Sequence, residues 1–215
     1  LNFKKKISSH ISNGFSIAVS GGIDSMALSF LAKCYSIENN KKVYFFIVDH
    51  KLRKNSTFEA NSLKKKLNSF QIPCKILTIK KQKISTNIQS FARNNRYKLI
   101  VKQSLIKKID MILTAHHLDD LIENFFIRLI RGSGLKGLIS FSKIKSKVTL
   151  DDKTFILRPL LDTSKKDLIF LSKNTFNFNV NDPSNLDDKF LRVKVRKLIS
   201  NLEKDGLTFK KFKLS

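Results

Sequence analysis

Tryptophan is missing from this 215-residue chain, cysteine occurs twice and proline three times. Cys34 and Cys74 stand far apart, with no C-x-x-C pair and no His/Cys metal spacing. Neither a disulfide framework nor a zinc site is expected, and both read as small apolar residues in a reducing compartment. No uninterrupted apolar run reaches the roughly 18 residues a membrane span needs. Leu1 to His10 is basic but lacks the apolar stretch of a secretory signal. A cytoplasmic setting is expected, or an organelle stroma or matrix if the gene is organellar. Acidic residues are scarce as well, 17 against 42 Lys and Arg, for a net charge of +25. Such an excess attracts polyanions, nucleic acid foremost. A coding sequence rich in A and U would raise Lys, Asn, Ile and Phe together, so a solvated lysine surface is the competing explanation.

No internal repeat and no Pro/Gly/Ser-rich linker divides the chain. One domain is expected over residues 1–215, with 151–215 as its C-terminal helical extension. Strand-like runs fall at Phe15–Val19, Val43–Val48, Lys75–Ile79 and Met111–Thr114. Helical spacing fills Asp24–Ile37, Ser56–Phe70, Ile88–Ile106 and Leu118–Ile130. Ser56-Thr57-Phe58-Glu59 has the form of a capping box. The alternation predicts an α/β fold, a Rossmann-like parallel sheet with helices on both faces. Lys143 to Lys147 reads as a loop, a capped helix starts near Thr163, and Asp187 to Lys204 is helical with a basic face.

The most informative segment is Ser20-Gly21-Gly22-Ile23-Asp24-Ser25, set between the first strand and its helix. Glycines let a backbone approach a phosphate, and free N–H groups at a helix start point at it. Ser20 and Ser25 add hydroxyls; the Asp24 carboxylate could hold a magnesium ion. No Gly-Lys-Ser/Thr follows, which excludes a Walker A loop, and the G-x-G-x-x-G spacing is absent.

Ligands of doubly wound sheets sit at the carboxyl ends of the strands. The second strand delivers Asp49-His50-Lys51-Leu52-Arg53 there; the fourth delivers Thr114-Ala115-His116-His117-Leu118-Asp119-Asp120. On the helix after Thr114, Ile122, Phe125, Phe126 and Leu129 form an apolar stripe, and Asp119, Asp120 and Glu123 gather on the other side. Three carboxylates at a helix start suit the macrodipole without any ligand. Beside two histidines they could equally bind a metal or an amine, with magnesium favoured over zinc. One of His116 and His117 could be purely structural.

Ser20–Ser25 matches the SGGxDS loop of the PP-loop ATP pyrophosphatases. The order of Val48–Arg53, Ala92–Tyr97, Ala115–Asp120, Arg128–Gly134, Arg158–Leu161 and Asp182–Asn185 resembles the tRNA(Ile)-lysidine synthase family in particular. That resemblance covers nearly the whole chain. It implies a ligase that adenylates O2 of the wobble cytidine of tRNA(Ile) with a CAU anticodon, releases diphosphate, then joins free L-lysine to C2 with loss of AMP. It implies ATP and Mg2+ at Ser20, Gly21, Gly22, Ile23, Asp24, Ser25, Asp49 and His50, with Asp24 the magnesium ligand. Catalytic roles are implied for Asp24, Asp119, Asp120, Glu123 and Arg93, and contacts to tRNA or phosphate for Arg96, Arg128, Arg131, Arg192 and Arg196. The family usually carries Gln and Thr where Leu121 and Asn124 stand, which leaves substrate geometry there open. Family members often continue into C-terminal tRNA-binding domains, which this chain is expected to lack; a homodimer is left open. Another PP-loop tRNA-modifying enzyme, such as a thiolase, or a non-catalytic tRNA-binding relative are the alternatives.

Overall fold

The computed structural model describes residues 2–79, 88–139, 143–148, 151–178, 180 and 191–208. Its centre is a six-stranded sheet in the order β3-β2-β1-β4-β6-β5. The strands are β1 (Gly14–Val19), β2 (Lys42–Asp49), β3 (Cys74–Thr78), β4 (Met111–Leu113), β5 (Lys145–Val148) and β6 (Asp151–Leu157). All neighbours pair in parallel except β5, which runs antiparallel to β6. Five residues of β1 are buried, the pattern of a strand covered on both faces rather than half-exposed.

The helices are α1 (Phe3–Ser8), α2 (Ile23–Glu38), α3 (Ser56–Ser69), α4 (Ile88–Ile106), α5 (Leu118–Ile130), α6 (Leu135–Ile139), α7 (Lys165–Phe176) and α8 (Leu191–Lys204). Met26, Leu28 and Ala32 of α2, Leu63 and Leu67 of α3, and Leu168 and Phe176 of α7 pack with Phe15 and Ile17 into one core cluster. Ile100 and Val101 of α4 pack with Phe46, Ile112 and Ile156 into a second. Two separate clusters are what helices on both faces of one sheet produce. The expected α/β architecture is therefore present, and the four expected strands agree with the observed ones to within a residue.

Four expectations need correction. Lys145–Val148 is a strand, not a loop, held because Ile156 and Phe155 of β6 offer it a paired edge. Residues 151–157, expected to open a helical extension, form β6 between β4 and β5. The Ser56–Glu59 capping box does not form. Asn55 is the N-cap of α3, Ser56 Oγ donates instead to Asp49 Oδ1 at 2.9 Å, and Glu59 pairs with Arg53 at 3.4 Å. On α5 the stripe is narrower than expected: Leu118 and Ile122 are buried, whereas Leu129 is 50% exposed and Glu123 is itself buried. The helix around Thr163 does form, one residue later, with Ser164 Oγ accepting from Asp167 N at 3.2 Å as its N-cap. Of the expected 187–204 helix, Leu191–Lys204 is helical and the preceding residues lie outside the described ones, as do Asp182–Asn185.

Strand order reverses beside β1: the chain steps outward to β2 and β3, then returns to β4 on the other side. The loops leaving β1 and β4 therefore face each other across the switch point, where ligands of such sheets bind.

Candidate active site

The loop after β1 is shaped by two glycines. Gly21 has φ of +84°, and a Cβ there would lie 2.7 Å from Val180 Cγ2 and 3.1 Å from Leu63 Cδ2. Only glycine takes that backbone and that space without strain. Gly22 then caps α2, its carbonyl accepting from Met26 N at 3.0 Å. Ser25 is buried and ties the loop shut. Its Oγ donates to Gly22 O at 2.9 Å, lies 3.1 Å from Ser20 Oγ, and accepts from Ser20 N at 3.2 Å. Ile23 and Asp24 thus form the first turn of α2 with Asp24 beside the helix start.

Across the switch point, the Thr114–His117 turn brings His117 against that helix. His117 Nε2 lies 3.6 Å from Asp24 Oδ2 and 3.5 Å from Asp120 Oδ2; Nδ1 lies 3.3 Å from Asp119 Oδ2. Burial disfavours its charge, but the bonds and charges of Asp119, Asp24 and Asp120 outweigh burial and push it up to about 9. His117 is therefore an imidazolium at neutral pH. His116 behaves oppositely: half-buried and bonded through Nδ1 to Thr114 Oγ1 at 2.8 Å, it is pulled down to about 3 by desolvation and then by the charges of Arg158, Arg93 and Arg192. The two adjacent histidines thus divide into one cation and one neutral ring.

The three carboxylates of α5 are not equivalent. Glu123 is buried and saturated: Arg192 Nε and Arg196 Nε, both from α8, each donate to it at 2.6 Å. Asp120 accepts from Arg192 at 3.1 Å and from His117 N at 3.2 Å. Asp119 accepts from Lys165 N at 3.0 Å, with its side chain 46% exposed. Burial raises the Asp119 carboxyl, but His117 and the Lys165 amide more than offset that and hold it below the usual range.

Lys165, the first residue of α7, also reaches Asp24, with Nζ 2.5 Å from Oδ1 and 2.7 Å from Oδ2. Burial pushes the Asp24 carboxyl up; the His117 bond and the Lys165 charge win and hold it low. These residues do not fit a magnesium ion held by Asp24, because an ammonium already occupies both of its oxygens. No group of three or more His, Cys, Asp or Glu suited to a metal occurs among the described residues.

The side chains of the second loop bond within the protein. Asp49 is buried and fully engaged, accepting from Lys51 N at 3.0 Å, Ser56 Oγ at 2.9 Å and Thr57 Oγ1 at 2.6 Å. Burial raises its carboxyl, and these hydrogen bonds bring it below the normal range. Its side chain fixes the start of α3. His50 accepts from Arg96 Nε at 3.4 Å, and burial with the Arg96 charge lowers it to about 4.

Of the other arginines, Arg93 is exposed and stacked 5.4 Å from the Tyr97 ring, and Arg131 is exposed at the end of α5. Arg128 donates to Gly137 O at 2.6 Å and so holds α6. Arg192 and Arg196, expected on tRNA or phosphate, are bonded to Asp120 and Glu123. The buried Arg158 ties β6 to Lys143 O and Ser146 Oγ. Sequence reasoning missed Lys165 and the partnership of α8 with Glu123. The cap at Ser164 marked where Lys165 would stand, but nothing local pointed its side chain at Asp24.

A glycine loop and helix start at the switch point, faced by an acid-rich helix, define a nucleotide-binding α/β domain. The chain belongs to the PP-loop domain family, which matches residues 1–203. It is similar to the tRNA(Ile)-lysidine synthase of Orientia tsutsugamushi, 37% identical over 187 residues, covering 86% of this chain and 41% of that protein. The Rickettsia bellii synthase is 37% identical over 205 residues, covering 93% and 46%. That of Rhodopseudomonas palustris is 36% identical over 193 residues, covering 88% and 54%. The chain thus spans about half the length of these relatives. In fold it is similar to the U34-tRNA thiolase NcsA from Methanococcus maripaludis, with a TM-score of 0.78 at 20% identity over 98% of this chain and 74% of that one. It is also similar in fold to the NH3-dependent NAD synthetase of Campylobacter jejuni, with a TM-score of 0.53 at 21% identity, covering 94% and 79%.

Proposed function

We propose that this chain is the catalytic domain of a tRNA(Ile)-lysidine synthase, an ATP-dependent ligase forming a carbon–nitrogen bond. The observation that carries it is the convergence of the two loops: Asp24 of the glycine loop and Asp119 and Asp120 of α5 all lie within 3.6 Å of one imidazolium. Likeness to the synthases along most of the chain supports this substrate set over others open to the fold.

ATP enters as its magnesium complex, the metal arriving on the phosphates as part of the substrate. Backbone N–H groups of Gly22–Asp24 and the Ser20 hydroxyl take the phosphates at the start of α2. The wobble cytidine, unstacked into the pocket, attacks the α-phosphorus through O2, and diphosphate leaves. The ε-amine of free lysine then forms a bond to C2 while the C2–O bond to AMP breaks. That amine must first lose a proton, since lysine titrates near pH 10.4 in water. Asp119 is the carboxylate suited to receive the ammonium and take its proton, being the most open of the three on α5. Asp120 and Glu123 orient that helix through Arg192 and Arg196. Arg93 and Arg131 take tRNA phosphates in this reading, which their exposure supports. The product tRNA would read AUA instead of AUG.

Purified protein given magnesium-ATP, lysine and unmodified CAU-anticodon tRNA should release diphosphate and add the mass of one lysine to the tRNA. Sulfur uptake that requires a sulfur donor would make it a thiolase. That outcome is disfavoured by the cysteines: Cys74 is buried, its thiol pushed up to about 12 by burial, and Cys34 lies alone on the surface. Binding of tRNA with no lysine incorporation would leave a non-catalytic relative. Asp24→Ala should abolish adenylation while keeping tRNA binding.

A further inference from the structure

Lys165 stands at the meeting point of three elements. Its main-chain N–H is held by Asp119 of α5, and its ammonium by both oxygens of Asp24 on α2, so the residue is anchored at both ends. Its strand of origin, β6, lies next to β4, and β4 lies next to β1. The loops after three neighbouring parallel strands therefore converge on one spot. The pair is not sealed off, since the Lys165 and Asp24 side chains are 36% and 27% exposed.

Charges around this point balance. Asp24, Asp119, Asp120 and Glu123 face Lys165, His117, Arg192 and Arg196, four against four. A carboxylate on the first turn of α2 repels any phosphate seated at that helix start, unless a cation neutralises it on the phosphate side. The arginines are committed to the α5 carboxylates, and the buried His117 is shared between those and Asp24 Oδ2. Lys165 has no carboxylate partner besides Asp24 among the described residues, and an ammonium carries three donors.

We propose that Lys165 is a phosphate-binding residue: Asp24 holds its ammonium beside the glycine loop, and a spare N–H bonds the nucleotide's phosphates seated on Ser20–Ser25. The proposal rests on the nucleotide-binding reading above. It assigns Asp24 the task of presenting a cation, in place of holding a metal.

The test is calorimetric binding of magnesium-ATP to the whole chain, without tRNA or lysine, for wild type, Lys165→Met, Lys165→Arg, Asp24→Asn and the Asp24→Asn/Lys165→Met double variant. Losing one charge-assisted contact should weaken Lys165→Met by about ten- to a hundredfold, and Lys165→Arg should recover most of it. The double variant separates two roles. If Lys165 touches phosphate, it binds more weakly than Asp24→Asn alone by a similar factor. If Lys165 only neutralises Asp24, the Met substitution has no effect in the Asn background, and the proposal falls. Wild-type affinity in Lys165→Met overturns it as well. No binding by the folded wild-type protein would defeat the nucleotide-binding reading itself, a result distinct from either.

Discussion

The clamp between α5 and α8 makes a sharp prediction about which side of an ion pair is costlier to lose. Glu123 is 4% exposed, whereas the Arg192 and Arg196 side chains that bond it are 42% and 43% exposed. Removing both arginines strands a carboxylate in a dry position, a loss of about 3–5 kcal/mol. Glu123→Gln instead leaves two arginines that can turn to water, and the amide oxygen still accepts one bond, so about 1–2 kcal/mol is lost. For a chain of this size, each kcal/mol moves the melting temperature by about 2–4 °C. Arg192→Met/Arg196→Met should therefore melt about 6–20 °C below wild type, and Glu123→Gln only about 2–8 °C below. Urea titration of both variants with matched m-values gives the free energies directly. The triple variant with Glu123→Met should recover most of the loss, because an apolar trio of similar volume carries no desolvation cost. Should Glu123→Gln prove as damaging as the double arginine change, the asymmetric burial would not control this clamp and the reasoning would fail.

Other perturbations read different parts of the site. The His117 imidazolium has a pKa of about 9, above the 6.5 of an unfolded histidine, so its stabilisation of about 3 kcal/mol is complete below pH 6.5 and lost as pH rises through 9. The stability difference between wild type and His117→Gln should shrink steadily from pH 6.5 to pH 10 in urea titrations; a constant difference would refute the charge assigned to it. Gly21→Ala forces a side chain onto a φ of +84° and against Val180, costing about 1–3 kcal/mol and nucleotide affinity with it, both measurable in one thermal-shift series with ATP. Asp49→Ala strands the Ser56 and Thr57 hydroxyls and the Lys51 amide; a stability loss of about 2–3 kcal/mol with nucleotide affinity changed less than threefold would place Asp49 in the scaffold.

The sheet's inner strands and the glycine loop were legible because each is a local pattern. Continuous burial on two faces writes itself as an apolar run in β1, and a helix start beside paired glycines needs no distant residue. What stayed hidden depends on partners far along the chain. Ser56 and Glu59 have the spacing of a capping box, yet Asp49 at the end of β2 outbids that arrangement for the Ser56 hydroxyl. Glu123 reads as solvent-facing by helical angle, but two arginines some seventy positions later allow its burial. Lys145–Val148 has too few apolar residues to announce a strand; β6 supplies the backbone partner that makes it one. Sequence pattern marked the loops that meet at the switch point, and long-range charge pairing decides which side chains bond one another there.

Lysines on the outermost strands of the described sheet bear on how its rims would meet another chain. Among the described residues nothing pairs beyond β3 or β5, and both outer strands carry lysine: Lys75, bonded to Gln103 Oε1 at 2.8 Å, on one, and Lys145, over the Phe155 ring, with exposed Lys147 on the other. A rim of unsatisfied amides invites a neighbouring chain to add its own strand, and repelling ammonium groups discourage that approach. Replacing Lys145 and Lys147 with threonine would keep the strand and remove the repulsion. Self-association at high protein concentration is the expected result, measurable by light scattering.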